Sequence, residues 1–449
     1  MQKKSLSYLV LVLLHVVIGL VIFVAPFLSK IYALLIPVLG LSIVIRNQNK
    51  NNEVIFVSAY LVGAEVFLRM TGGNFNNEYV KFLVIFFMII GMFYSNFSMR
   101  SFLYVVFLFL LIPGALVVSS VEDVNFDIKK AIVFNLSGSL CLAIASIYMY
   151  KKRLLFSQLQ NVLLALGMPI ISTVIYLFLY NPSVKDVVTG TQSNFETSGG
   201  FGPNQVSTIL GLGMFIFFSQ LILFSKSKKE IIINFGILVF VSYRAIATFS
   251  RGGVITGVLM IFFFFLMLFS FSNNRGKRKI LLVFLFAGIL GAGIFSYTSL
   301  QTNGMIEKRY ANQDGRGREK KDRLGGREAV IDTDLKLFLD NPVLGIGVGM
   351  GKENRKETLG QAVAAHNEIS RLLSEHGLFG IFSFLILLLV PFTLYINNRQ
   401  HLYFFSFFLF WLLTINHAAL RIAAPAFVYA LCLLSIQIKI PEKTEDAIN

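Results

Sequence analysis

Residues 254–272, VITGVLMIFFFFLMLFSFS, form an uninterrupted apolar run that ends beside the basic stretch 275–279, RGKRK. A helix needs about 20 apolar residues to cross the hydrocarbon core of a bilayer. Lys and Arg concentrate at the cytoplasmic ends of such helices. The stretch therefore predicts a membrane-spanning helix and also which of its ends faces the cytoplasm.

Apolar runs of the same kind recur along the whole chain. The first lacks an obvious small-residue cleavage site and is longer than the core of a typical signal peptide, so we interpret it as a membrane helix. Two runs, 31–45 and 402–415, are short enough to be tilted, re-entrant or merged with a neighbour. The pattern predicts an all-α polytopic membrane protein with about 12–14 transmembrane helices. The other runs lie near 6–28, 54–70, 82–97, 101–119, 131–150, 158–180, 206–224, 231–249, 280–297, 378–396 and 420–438.

The composition excludes an ordinary soluble protein. Hydrophobic residues make up 55% of the chain and charged residues 14%, with a mean hydropathy of +0.71; soluble domains average about 25% charged residues. We interpret most of the net charge of +16 as Lys and Arg at cytoplasmic helix ends, so membrane lipids are expected as partners and nucleic acid is not. Cys141 and Cys432 lie inside apolar runs, which predicts packing residues rather than a disulfide framework.

Basic residues alternate between the connections. Starting from Lys3 and Lys4, every second connection is basic, and the last basic stretch is the tail beyond 438. The positive-inside rule then places both termini in the cytoplasm and the long connection 298–376 on the opposite side. We divide the chain into an N-terminal transmembrane bundle (1–297), a large outer loop with the candidate motifs (298–376) and C-terminal transmembrane helices (377–449).

The outer loop has two parts. Residues 307–328 are rich in glycine and in both charge signs, and we expect them to be mobile. Residues 328–339 predict an amphipathic helix that stops at Asp340-Asn341-Pro342, because proline cannot continue it. The glycine-rich stretch 345–351 lacks the ending of a phosphate loop and predicts a turn that permits close packing. A further helix is predicted from about Gln361 through Gly377 into the next span.

Ionisable residues at membrane depth are functional candidates, because inserting them into a bilayer is costly. Glu65 and Arg69 are four residues apart, so they share a helix face and can form an ion pair, which is either structural or functional. If one helix runs through both Arg244 and Arg251, they share a face about 10 Å apart. The glycines at 252–253 then permit close approach of a backbone or a ligand. Arg251 is otherwise an anchor in lipid headgroups.

His366 lies near the start of the last predicted loop helix. Histidine is the side chain best suited to accept a proton near neutral pH, although a histidine taken alone is more often a structural hydrogen-bonding group. A basic outer surface suits a lipid-linked anion, above all a pyrophosphate, because the guanidinium fork matches phosphate oxygens. Arg244 lies just beneath that surface in this prediction. The other residues that the alternation places there are Arg69, Arg251, Arg327, His417 and Arg421.

Several motifs occur together in a recognisable order. The chain resembles the O-antigen ligase and polymerase superfamily of bacterial membrane glycosyltransferases, although an aromatic residue often found shortly after the motif arginine is replaced here by Val330-Ile331. The resemblance covers roughly 200–395 by motif and the whole chain by topology. It rests on residues 201–205 (FGPNQ), 249–253 (FSRGG), 326–327 (GR), 340–347 (DNPVLGIG), 366–368 (HNE) and 372–380 (LLSEHGLFG).

The resemblance implies a site in the periplasm of a bacterial inner membrane. The donor would be a glycan on undecaprenyl pyrophosphate, and an acceptor hydroxyl would attack with inversion, without a cofactor or a metal ion. His366 would act as the base or orient the hydroxyl, and Arg251 and Arg327 would hold the pyrophosphate. Supporting roles are predicted for Arg69, Glu65, Asn367, Glu368 and Arg421.

Alternatives remain open from the sequence. Within the superfamily, a glycan polymerase, a ligase acting on lipid A–core and a protein O-oligosaccharyltransferase carry the same motifs, so the acceptor is a glycan, lipid A–core or a protein. From another class, a transporter or flippase of lipid-linked glycan would use Glu65 and Arg69 to line a path. That class often has internal repeats, and the sequence contains none of fixed period.

Overall fold

The protein is a bundle of apolar helices with a small amount of extended chain. The computed structural model describes residues 7–95, 98–119, 127–320, 327–359, 365 and 367–438, with the backbone alone at 119, 327 and 357–359. The helices are α1 (Tyr8–Val24), α2 (Leu28–Asn47), α3 (Glu53–Met70), α4 (Tyr79–Tyr94), α5 (Phe102–Ser119), α6 (Ile128–Met149), α7 (Phe156–Tyr180), α8 (Val184–Val187), α9 (Pro203–Leu223), α10 (Lys228–Ala247), α11 (Arg251–Phe271), α12 (Asn274–Gln301), α13 (Met305–Tyr310), α14 (Arg327–Asp340), α15 (Met350–Leu359), α16 (Glu368–Asn397), α17 (Phe404–His417) and α18 (Ala423–Leu431); the strands are β1 (Arg153–Leu155) and β2 (Ser435–Gln437).

These helices confirm the predicted all-α polytopic membrane fold. Within the described residues, nine helices are long and apolar enough to cross a membrane, and α1, α4 and α17 are shorter apolar helices. Helix α3 has the length of a span but carries Glu53, Glu65 and Arg69. Its burial among the other helices gives those charges protein partners instead of lipid.

The helix starts follow ordinary capping rules. The side chain of Asp127 accepts a hydrogen bond from the Lys130 N–H at 2.9 Å and begins α6. Asn273 does the same for the Gly276 N–H at 2.9 Å and begins α12. Each cap satisfies a backbone donor that the helix itself cannot.

Helix α9 lies at the centre of the bundle and α12 at its edge. In the most apolar stretch of each helix, 83% of the residues of α9 are buried, against 6% of those of α12. Helices α9 and α11 cross closely through Gly211, Gly253 and Gly257, and a Cβ at Gly253 would clash with the Ser207 carbonyl oxygen. Small residues four apart on both helices allow this approach. The predicted close approach at 252–253 is therefore made by protein: backbone at Gly253 and the His417 ring at Gly252.

The apolar run 420–438 is not one spanning helix, and the prediction of a full span there is wrong. Residues 418–422 form a turn with Ala419 at φ +52°, only the nine residues of α18 are helical, and β2 pairs in parallel with β1. Helix α18 packs against α6 and α17. A run that protein surrounds on every side is apolar whether the chain is helical or extended, so hydropathy alone does not distinguish the two.

The outer loop contains more regular structure than its composition predicts. The stretch expected to be mobile, 307–328, contributes most of α13, a turn closed by a bridge between Gln313 and Glu319, and the start of α14; residues 321–326 lie outside the described part. Helix α14 confirms the helix predicted at 328–339. Helix α15 was not predicted. Helix α16 begins at Glu368 and is kinked at Gly377, where φ is +57°.

The glycine-rich stretch 345–351 is a packing turn, as predicted. The Ile346 N–H donates to the Ser374 carbonyl at 2.9 Å, and the Val348 N–H donates to the Gly114 carbonyl at 3.0 Å. Gly345 has φ +71°, and a Cβ there would lie 2.5 Å from the His376 nitrogen. The glycines thus let this turn lie directly on the backbones of α5 and α16.

Candidate functional site

One end of the bundle, called the rim below, gathers the C-terminal ends of α3 and α17 and the N-terminal ends of α9 and α11. There, the predicted ion pair between Arg69 and Glu65 forms at 2.6 Å. Glu65 also accepts a hydrogen bond from the Ala423 N–H at 2.7 Å, at the first residue of α18. The Arg69 guanidinium donates in addition to the Gln205 side chain at 3.2 Å and to the Arg421 carbonyl at 3.0 Å. The pair therefore fixes the chain on both sides of residue 422.

Arg421 connects this pair to the outer loop. Its guanidinium donates to the Ala365 carbonyl at 3.1 Å. Ala365 is bonded directly to His366, which itself lies outside the described residues. Asn367 follows, and its side chain accepts from the N–H groups of Ile369 and Ser370 at 2.9 Å and 3.2 Å, so it caps α16. The residues on both sides of His366 are thus held by named contacts.

Glu368 and Arg371 form a buried ion pair in the first turn of α16, and Arg371 also pairs with Glu375 at 2.7 Å. A second buried pair lies beside it, between Asp334 of α14 and Arg355 of α15. Asp334 also accepts from the Ser370 hydroxyl at 2.7 Å. Burial raises the pKa of Asp334, while the Arg355 charge opposes that shift. These pairs join α14, α15 and α16 into one unit beside Ala365.

Arg244 and Arg251 do not share a helix face, and that expectation is wrong. Helix α10 ends at Ala247, and Phe249, with φ +59°, reverses the chain before α11 begins at Arg251. No glycine or proline marks residues 248–250, so the sequence gives no signal for this turn. The two arginines therefore lie on different helices.

Arg244 lies below the rim and is 1% exposed. Its guanidinium donates to the carbonyls of Asn181 at 3.1 Å and Leu177 at 2.6 Å. These carbonyls belong to the last turn of α7, where a helix leaves its acceptors without internal partners. The side chain that the sequence predicts to bind pyrophosphate thus caps a helix in the structure.

Arg251 is the first residue of α11 and meets a residue that the sequence analysis missed. Its guanidinium donates to the Arg309 carbonyl at 3.4 Å. The Arg309 side chain donates to the Phe249 carbonyl at 3.0 Å and to the Ser193 hydroxyl at 3.4 Å. Arg309 belongs to α13, in the stretch that was expected to be mobile, so only the tertiary fold brings it to the rim.

Lys320 adds a third positive charge to Arg251 and Arg309, and the three are called the basic cluster below. Burial lowers the pKa of Lys320, and the charges of Arg309 and Arg251 lower it further. Its ammonium group donates to the Thr191 hydroxyl at 2.8 Å. A lysine whose pKa is lowered by neighbouring positive charges marks a place where an anion is electrostatically favoured.

A cleft of about 280 Å³ opens at the rim. Arg421 and the N-terminal turn of α9 form part of its wall, and none of the described residues that line it is acidic. The positive end of a long helix and a guanidinium both favour a bound anion. This rim cleft is lined by Ser193, Phe195, Gly202, Pro203, Asn204, Gln205, Ala418 and Arg421.

His417 lies under the rim rather than in the cleft lining. Its Nε2 is 3.1 Å from the Thr208 hydroxyl, its Nδ1 is 2.8 Å from the Leu413 carbonyl, and its ring packs on Gly252. Arg327 begins α14, and its side chain lies outside the described part of the chain. Across the described residues, no group of three or more His, Cys, Asp or Glu side chains is arranged to hold a metal ion.

Comparison with protein families gives a match over residues 236–385, to the family described as O-antigen ligase. This match supports the resemblance of this part of the chain to the O-antigen ligase superfamily. Comparison with curated proteins gave no match. The O-antigen ligase region runs from α10 into α16 and includes Arg251, Arg309, Arg327 and His366. Its rim partners Arg69, Gln205 and Arg421 come from outside the matched residues, so the candidate site combines the O-antigen ligase region with the rest of the bundle.

The match supports a membrane protein of the glycosyltransferase type, with a lipid-linked glycan and an acceptor as general partners.

Proposed function

We propose that the protein transfers a glycan from undecaprenyl pyrophosphate to an acceptor hydroxyl, with inversion and without a metal ion. The observation that carries the proposal is the hydrogen bond from Arg421 to the Ala365 carbonyl. It joins an acid-free, positively biased cleft to the residue next to the candidate base, His366. A diphosphate leaving group and a proton acceptor are the two functions that such a transfer needs close together.

In the proposed reaction, the acceptor oxygen bonds to the anomeric carbon of the donor sugar while the bond from that carbon to the diphosphate oxygen breaks. The bonding electron pair leaves with the diphosphate, and His366 takes the proton of the attacking hydroxyl. Negative charge grows on the diphosphate during this step. Arg421, the α9 N-terminus and the basic cluster are assigned to stabilise it, because fixed donors in a poorly hydrated site need little reorganisation.

The Glu65–Arg69 pair is assigned to position the diphosphate site. Arg69 holds the Arg421 backbone and the Gln205 side chain, while Glu65 holds the start of α18. Arg244 is assigned to positioning as well, since both of its terminal guanidinium nitrogens donate to carbonyls at the end of α7. Arg327 keeps its predicted role in holding pyrophosphate.

We propose that the rim faces the periplasm of a bacterial inner membrane and that both termini are cytoplasmic. The alternation of basic connections supports this orientation. The helix bounds support it too, because the basic connections of that alternation join helices at the end of the bundle opposite the rim. We also propose the division at about 297 and 377, with the outer loop carrying the catalytic motifs.

The test is transfer by purified protein in proteoliposomes, with lipid-linked oligosaccharide as donor and with glycan, lipid A–core or protein as acceptor. Arg421→Ala should slow transfer about 10–100-fold, because a charge-assisted hydrogen bond contributes about 1.5–3 kcal/mol. Arg399→Ala, an exposed arginine at the opposite end, is the matched control and should transfer normally. A ladder of products indicates a polymerase, and a single addition indicates a ligase or an oligosaccharyltransferase. No transfer to any acceptor by the unsubstituted protein would refute the proposal.

A further inference from the structure

A second cleft lies beside Ala365, between the start of α6, α15 and the start of α16. Its volume is about 400 Å³, which is within the roughly 300–1,000 Å³ of small-molecule sites. We call it the α6 cleft. It is lined by Asp127, Lys130, Ala131, Phe134, Asn135, Gly349, Lys352, Glu353, Arg355, Ala365, Arg371 and Glu375.

The lining of the α6 cleft has a different chemistry from that of the rim cleft. It contains three carboxylates and four cations, with Arg355, Arg371 and Glu375 at 2–5% exposure. The α6 cleft therefore presents both charge signs to a ligand, whereas the rim cleft has no acidic residue among its described lining. Carboxylates, guanidinium groups and an amide together suit a ligand with many hydroxyl groups, which both donate and accept hydrogen bonds.

An aromatic ring completes this surface. Phe134 lines the cleft and remains 43% exposed, so its face is available to the apolar side of a sugar ring. Lys130 and Lys352 are exposed at the mouth, where they can reach hydroxyl oxygens without having to be desolvated. A pyranose has this combination of an apolar face and a polar edge, whereas a lipid tail or an inorganic anion does not.

The two clefts meet at Ala365. Ala365 lines the α6 cleft, and its carbonyl oxygen accepts a hydrogen bond from Arg421, which lines the rim cleft. An inverting displacement requires the attacking hydroxyl to approach the anomeric carbon from the side opposite the leaving diphosphate. If the diphosphate occupies the rim cleft, the α6 cleft adjoins the leaving group across Ala365, and we assign the attacking hydroxyl to it.

We infer that the α6 cleft binds the sugar of the acceptor that carries the attacking hydroxyl. The inference rests on the proposed function for the position of the leaving group. It adds a saccharide subsite built from α6, α15 and α16, apart from the diphosphate site.

Site-directed labelling tests the inference without turnover. Both native cysteines, Cys141 and Cys432, are buried, so a cysteine introduced at exposed Lys352 is the one that a polar maleimide reaches. The probes are the core oligosaccharide released from the host's lipopolysaccharide and the repeat-unit oligosaccharide of its surface polysaccharide. Lys352→Cys should be labelled at least threefold more slowly when one of these saccharides is present. Lys185→Cys, an exposed control outside both clefts, should be labelled at an unchanged rate.

Steady-state kinetics distinguishes the acceptor sugar from the donor sugar. Phe134→Ala should raise the acceptor KM about fivefold and leave the donor KM within twofold, because the aromatic surface that contacts the acceptor sugar is lost. The control is Phe109→Ala, since Phe109 is 61% exposed and lines neither cleft. A raised donor KM with an unchanged acceptor KM would overturn the acceptor assignment, as would equal labelling of Lys352→Cys with and without both saccharides in protein that is active. Loss of transfer by the unsubstituted protein would overturn the proposed function itself.

Discussion

Replacing Glu65 by glutamine removes one acceptor from the rim and changes little else. The carboxylate is fully buried; one oxygen accepts from Arg69 at 2.6 Å and the other accepts from the Ala423 N–H at 2.7 Å. A glutamine amide has one oxygen and one NH2 group. Whichever way it turns, its NH2 faces a donor, so either Arg69 or the start of α18 loses its acceptor.

The expected cost follows from this geometry. Removing the charge of one partner in a buried ion pair lowers the free energy of unfolding by about 3–5 kcal/mol. Only part of that loss affects the position of Arg421. The lost charge-assisted hydrogen bond contributes about 1.5–3 kcal/mol to holding Arg421 and α18 in register. If that energy governs how often Arg421 is correctly placed, transfer slows about 10–100-fold.

The assay compares Glu65→Gln with Glu78→Gln in the same proteoliposomes. Glu78 also forms a buried ion pair, with Lys81, and accepts from the Ser137 hydroxyl at 2.6 Å, but it has no described contact with Arg421. Both variants should unfold at a lower temperature in detergent. We expect only Glu65→Gln to lose most of its transfer rate. Equal transfer rates at equal destabilisation would show that Glu65 stabilises the fold without positioning the site.

Four further variants probe other parts of the structure. His366→Ala and Arg327→Ala should each abolish transfer while membrane insertion, measured by fractionation, stays normal; product formation by either variant removes that residue from the mechanism. Arg251→Lys should slow transfer several-fold in the same assay, because an ammonium group cannot reproduce bidentate phosphate contacts; full activity would leave Arg251 as a headgroup anchor. Gly253→Ala should lower the midpoint of thermal unfolding, because its methyl group meets the α9 backbone and overpacking costs about 1–3 kcal/mol. Gly288→Ala, with open space around it, is the control, and equal midpoints would contradict the close crossing.

Hydropathy predicts most of the helices, because a spanning helix is recorded directly in the chain as a long apolar run. Even the short run at 31–45 belongs to a helix of 20 residues, α2, whose polar ends Ser29 and Asn47 the run leaves out. The prediction fails at 420–438 because that segment is surrounded by protein. There, Glu65 of a distant helix, rather than any residue nearby in the sequence, satisfies the first N–H group of α18.

The site is predicted less completely than the fold. Motif residues such as Arg251 carry a local signal, and the alternation of charge assigns Arg69 and Arg421 to the same side. Arg309 was missed because its segment is polar and glycine-rich, and only its contacts with Phe249 and Ser193 bring it to the rim. Arg244 was assigned to pyrophosphate because the sequence does not show the turn at Phe249 or the carbonyls at the end of α7.

The short parallel strand pair has a mechanical consequence for α18. At one end of the helix, the carboxylate of Glu65 accepts a hydrogen bond from the Ala423 N–H. At the other end, β2 pairs with β1, and the Lys151 N–H donates to the Leu433 carbonyl at 2.9 Å. Because hydrogen bonds hold both ends of this nine-residue helix, α18 cannot move along its axis without breaking the bonds at one end. Disrupting the strand pair, at the end of the bundle opposite the rim, would therefore shift α18 and with it the position of Arg421.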